Sequence, residues 1–180
     1  MARTAPSQLL AMRAVYIGLC LLVMIAHLLP LDTVPRFWAP PDILMAFTFA
    51  WALRRPDYVP ILSIAAVFLT ADLLFQRPPG LLAALMVVGT EALRIRFAGL
   101  REASFVGEWV SVCVMVAGIV VINRLVLIVV ASDPPALGLT LIQMVLTMLI
   151  YPLAVVATTA IMRVRKPDPR KADGGLGARS

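Results

Sequence analysis

The sequence predicts an all-α integral membrane protein of about six transmembrane helices, and three observations carry the prediction. Hydrophobic residues fill 61% of the 180 positions, the mean hydropathy is +0.93, and the charged 14% fall mainly into short clusters between long apolar runs. A soluble domain needs polar surface to face water, and this composition lies far from that range. Lipid is therefore the expected solvent for most of residues 1–166, with spans near 14–31, 41–53, 58–75, 80–95, 106–130 and 137–162.

The first span follows Arg3 and Arg13 and ends in His27-Leu28-Leu29-Pro30, with no small-x-small site behind it. That pattern predicts an uncleaved span rather than a signal peptide. The second apolar run, residues 43–53, is short. Eleven residues make about 16 Å of helix against roughly 30 Å of hydrocarbon, so it is expected to be re-entrant, tilted or set in thinned bilayer.

The third and fourth spans are joined by Gln76-Arg77-Pro78-Pro79-Gly80, whose prolines and glycine predict a tight turn. The fifth is the longest. Asp133-Pro134-Pro135 breaks the chain before the sixth, inside which Pro152 predicts a kink. Residues 167–180 mix glycines with charges and are expected to form a disordered cytoplasmic tail.

Net charge is +6, which in a soluble protein would point to nucleic acid. The distribution argues against that partner, because the basic residues lie in loops and the tail, without aromatic interleaving. With the N-terminus inside, Arg3, Arg13, Arg54, Arg55, Arg94, Arg96, Arg101 and the six basic residues of 163–179 all fall in cytoplasmic segments. The outer loops hold only Arg36 and Arg77, and Arg124 lies within a span, so both termini of a multi-pass membrane protein are predicted to be cytoplasmic. Omitting the short second span would invert every later loop.

Ionisable side chains within spans are costly and are candidate sites for that reason. Glu91 and Glu108 lie close to basic residues at the cytoplasmic side, where snorkelling or an interfacial ion pair accounts for them. Asp72 and Arg124 lie deeper, roughly 21 and 25 Å from the cytoplasmic ends of their spans, and their matched depth predicts a pair. With His27 and Asp42 they form a predicted polar cluster in the outer half, serving either helix packing or a partner or ligand.

No metal-ligand spacing, nucleophile elbow or phosphate-binding glycine loop is present, so neither a catalytic residue nor a cofactor is expected. Cys20 and Cys113 read as packed thiols in separate spans. Trp38, Trp51 and Trp109 fall near predicted interfaces and read as membrane anchors.

The order Pro41-Asp42-Ile43-Leu44, Trp51-Ala52-Leu53-Arg54-Arg55-Pro56, Ala71-Asp72-Leu73-Leu74 and Pro79-Gly80-Leu81 resembles the central region of the rod shape-determining MreD family. It departs from that family at Ala65-Ala66-Val67-Phe68-Leu69-Thr70 and at the turn before Gly80, where family members often carry glycines. The resemblance implies a non-enzymatic subunit of the cell-elongation (rod) complex. Its partners would be MreC most directly, then MreB, RodA and RodA's partner transpeptidase in lateral peptidoglycan synthesis, with homo-oligomerisation left open. The implied fold is similar to the substrate-binding subunits of energy-coupling-factor transporters, so a vitamin-binding membrane subunit is the alternative.

Overall fold

The computed structural model describes residues 6–29, 39–98, 104–130 and 136–160. Among them are six α-helices and no strand: α1 (Pro6–Leu28), α2 (Ile43–Arg54), α3 (Ile61–Leu74), α4 (Leu81–Ala98), α5 (Phe105–Val129) and α6 (Leu137–Ala160). A 3-10 turn at Pro56–Tyr58 links α2 to α3. Arg3, Arg36, Trp38, Arg101, the Asp133-Pro134-Pro135 break and the 167–180 tail lie outside the described residues.

Among the described residues, three helices are long and apolar enough to cross a membrane: Ser7–Leu28 within α1, α5, and Leu137–Thr159 within α6. Large apolar side chains such as Leu22, Val114, Val129, Leu141 and Leu153 stand exposed along them. In water that surface would be unfavourable, whereas hydrocarbon accepts it. Helix α1 begins at Pro6, earlier than hydropathy alone placed the span. A proline is well tolerated in a first turn, where its missing N–H has no intrahelical acceptor, and Ser7 and Gln8 need not be apolar to be helical.

Helix α2 explains its own shortness. Nine of its twelve residues are buried, and it packs most extensively on α6, with α4, α1 and the 3-10 turn closing around it. An element surrounded by protein need not match the thickness of the bilayer, so a helix apolar on every face can be short. Trp51 is fully buried there, within a run of rings that links Tyr16, Phe47, Trp51 and Tyr58 at centroid separations of 5.5–6.4 Å. This corrects the anchor reading of Trp51, whose indole belongs to the core. Tyr16 and Thr48 share a 3.0 Å hydrogen bond inside the same cluster, which satisfies two hydroxyls that lipid could not.

The α3–α4 turn is tight for a local reason. Gln76 takes a left-handed backbone (φ 53°), Arg77 N–H donates 2.9 Å to the Asp72 carbonyl, and Gln76 N–H donates to Leu73. These two bonds close the end of α3 as a Schellman motif, with glutamine in the position that glycine usually fills. Gly80 (φ 87°) then supplies the second left-handed residue and opens α4.

Helix α6 runs through Pro152 without a break in its helical span. Proline has no N–H for the carbonyl four residues earlier, that of Met148. The Trp109 indole N–H of α5 donates to that carbonyl at 2.9 Å. Trp109 is half-buried against the core, so its polar atom serves α6 and not only a membrane surface.

Cys20 is buried, Cys113 half-buried, and both are free thiols. Gly89 of α4 lies where an added Cβ would come within 3.0 Å of Ile119 Cδ1 and 3.1 Å of Met115 Sδ, both on α5. This close approach is internal to the bundle. Gly118, by contrast, meets nothing within 4 Å.

Candidate functional site

The helices alternate in direction, and the polar side chains separate into two groups at opposite ends. One group gathers where α2 and α4 end and α5 begins. Arg54, at the last turn of α2, donates to Glu108 Oε1 at 2.5 Å, and Tyr151 Oη of α6 donates to the same oxygen at 2.8 Å. Arg54 and Glu108 are 7% and 1% exposed, which makes this a buried charge pair and not an interfacial one. The expectation that Glu108 snorkels toward basic residues on the cytoplasmic side is thereby corrected. Its position in the first turn of α5, at the positive end of the helix dipole, is a favourable place for negative charge, and the fold turns that face inward.

At the same end the turn after α2 is clasped from two sides. Arg13 of α1 donates through Nε and Nη2 to the Asp57 carbonyl, each at 3.2 Å. Arg94 of α4 donates to the Val59 carbonyl and also pairs with Glu91 one turn earlier, as the expected ion pair. The arginines that mark one side of a membrane in the sequence thus also bind carbonyls that the 3-10 turn leaves open.

The second group lies at the opposite end and contains the predicted cluster. Asp42, Asp72 and Arg124 line one cavity of about 510 Å³, together with residues of the α3–α4 turn, the last turns of α5 and the first turns of α6. His27 does not reach it. Its ring packs edge-on against Phe75 at 5.6 Å and borders a separate space of about 20 Å³ that also touches Asp42.

Asp42 is the N-cap of α2. Its Oδ1 accepts from Met45 N–H at 3.0 Å, and its own N–H donates 2.8 Å to Thr147 Oγ1, which ties the start of α2 to α6. An aspartate here satisfies one orphan donor and complements the positive end of the helix.

Asp72 acts across the tight turn. Its Oδ2 accepts from Gly80 N–H at 3.1 Å and Ala83 N–H at 3.4 Å, so a carboxylate from the end of α3 caps the start of α4. Asp72 is fully buried, and its Oδ1 is buried with no hydrogen-bond partner among the described residues. Arg124 Nη1 donates 3.1 Å to Thr140 Oγ1 of α6. No ion pair joins Asp72 to Arg124, which corrects the predicted pairing. Matched depth places two residues at one level of a bundle without fixing their direction around the helix axes, and the turn gave Asp72 nearer donors.

Asn123, Gln143 and Thr147 also line the cavity, and Leu82, Val116 and Ile119 supply apolar wall. The space falls in the size range of small-molecule pockets, and its combination of apolar wall with a few convergent polar groups is what such pockets share. Among the described residues, no group of three or more His, Cys, Asp or Glu side chains could hold a metal ion. The buried Arg54–Glu108–Tyr151 triad escaped the sequence reading, although an arginine and a glutamate near helix ends at one side was the available signal.

Comparison of the chain with protein-family models, with curated proteins and with solved structures finds no match in any of the three.

Proposed function

We propose that this chain is a non-enzymatic, multi-pass subunit of the bacterial cytoplasmic membrane that helps organise lateral peptidoglycan synthesis, in the manner of the MreD proteins its sequence resembles. In this reading all six helices cross, with the Arg54 end facing the cytoplasm. The observation that carries it is the position of the resembling residues. Asp42 caps α2, Arg54 ties the end of α2 to α5, and Asp72 caps α4 across Gly80. The quoted residues therefore sit at the joints that set the bundle's shape, as expected of a subunit whose work is to present a fixed surface to partners in lipid.

The test is co-purification of the full chain from native membranes in mild detergent. Recovery of MreC with the chain supports the reading, and a complex that contains an energising ATPase in place of MreC refutes it. One observation favours a second reading, a membrane subunit that binds a vitamin for an energy-coupling-factor transporter: the 510 Å³ cavity has both polar and apolar wall. A vitamin recovered in stoichiometric amount would decide for it.

A further inference from the structure

Most polar side chains around the cavity at the Asp72 end are engaged within the bundle. Asp42 and Asp72 accept from backbone N–H groups at helix starts, Arg124 donates to Thr140, and Thr147 donates to the Gln143 carbonyl. Asn123 of α5 and Gln143 of α6 differ. Both line the cavity and both are half-buried, yet neither side-chain amide makes a hydrogen bond to another described residue. The oxygen and nitrogen of each amide keep accessible surface, so a guest can reach them. Asn123 lies six residues before the end of α5 and Gln143 six residues after the start of α6, which puts each about 9 Å inside its helix. At that depth a polar group without a partner is costly, and two on one cavity wall ask for a partner from the cavity.

We propose that the cavity binds an uncharged guest with an amide or ureide edge on an apolar ring or chain, the edge exchanging hydrogen bonds with Asn123 and Gln143. A carboxamide presents a donor and an acceptor side by side, and its natural complement is a group that does the same. An apolar guest would leave both amides unmet. An ion finds no net charge to hold it, since Asp42 and Asp72 are balanced on the wall by Arg77 and Arg124. Met45, Leu82, Val116, Ile119 and Met144 supply the apolar contact for the body of the guest, in a volume of about 510 Å³. Two sources share this chemistry: a free solute, and the amide of an N-acylated membrane lipid. The inference rests on the cavity alone, and a chain of either proposed function can hold such a guest.

The experiment titrates the full chain in nanodiscs with four probes of one ring, read by ligand-observed NMR, with empty nanodiscs correcting for partition into lipid. Benzamide carries the donor and acceptor edge, acetophenone the acceptor without the donor, and benzoate and benzylammonium a charge of each sign. The proposal expects benzamide to bind about fivefold or more tightly than acetophenone, the worth of one hydrogen bond, and more tightly than either ion. Ceramide built into the nanodisc identifies the source. Displacement of benzamide assigns the guest to a lipid amide, and undiminished benzamide binding assigns it to a free solute.

Asn123→Leu and Gln143→Met keep the size of each side chain and remove its hydrogen-bonding edge. Each should weaken benzamide by about fivefold and acetophenone by less, with the melting temperature maintained, because no internal bond of either amide is lost. Benzamide bound no more tightly by the wild type than acetophenone or either ion, or binding of no probe at all, overturns the proposal. So does a folded double variant that binds benzamide as tightly as the wild type. The probe comparison requires only the wild-type chain, so it decides the matter even if the variants fail to fold.

Discussion

Arg54 and Glu108 lie 2.5 Å apart in the interior of the bundle, a guanidinium from the end of α2 against a carboxylate from the start of α5. Tyr151 of α6 donates to the same carboxylate oxygen, so three helices meet at one acceptor. Removing one member strands a charge in a low-dielectric interior, at a cost of about 3–5 kcal/mol, while replacing the whole set by apolar side chains of similar volume can be close to neutral. Arg54→Leu or Glu108→Leu alone should sharply reduce thermal stability in detergent. The triple variant Arg54→Leu, Glu108→Leu, Tyr151→Phe should recover most of it. A triple variant as unstable as the sum of its single changes would show that the three groups act separately.

Trp109 and Pro152 form a second coupled pair, through the Met148 carbonyl. In Trp109→Phe that carbonyl loses its donor, which costs about 1–3 kcal/mol. Pro152→Ala restores a backbone N–H four residues on, so Trp109→Phe should cost much less in that background. A double-mutant cycle on melting temperature measures the difference. Equal costs in the two backgrounds would mean that the indole N–H is not replacing the helical donor that proline removes.

The two glycines should separate cleanly. Gly89→Leu forces a side chain into Met115 and Ile119 and should destabilise the α4–α5 contact by about 1–3 kcal/mol. Gly118→Ala meets open space and should be neutral or slightly stabilising, since alanine favours a helix over glycine by about 1 kcal/mol. Comparable losses at both positions in detergent would contradict the packing described.

Orientation is tested at the turn after α2. Asp57 is exposed there, and its interaction with Arg13 uses the backbone carbonyl. In a chain with Cys20 and Cys113 replaced by alanine, Asp57→Cys should be protected from a membrane-impermeant maleimide in intact cells and labelled after permeabilisation. Labelling in intact cells would place the Arg54 end outside and overturn the proposed topology.

Much of the fold was legible because hydropathy and turn residues report it locally. Pro78, Pro79 and Gly80 marked the α3–α4 turn, and the apolar runs marked α5 and α6 to within a residue or two of their observed bounds. Asp42, Asp72 and Arg124 were recognisable as one level of the bundle, since ionisable residues within spans are rare enough to stand out. Their partners were not recognisable. Whether Asp72 faces Arg124 or the start of α4 depends on rotation about the helix axes, which weakly amphipathic membrane helices do not encode in a simple stripe. The Arg54–Glu108 pair stayed hidden for a related reason, because a basic residue after an apolar run looks like a topological marker whether its head group meets water or a buried carboxylate.

Cell width on depletion tests most directly the proposed role of the chain as a rod-shape subunit of the elongation machinery. Cells depleted of the chain should widen and round as lateral wall synthesis loses its organisation, and the wild-type chain should restore rods when re-expressed. Rods of normal width after depletion, with an intact MreC assembly and lost uptake of a specific vitamin, would contradict the account and support the transporter reading.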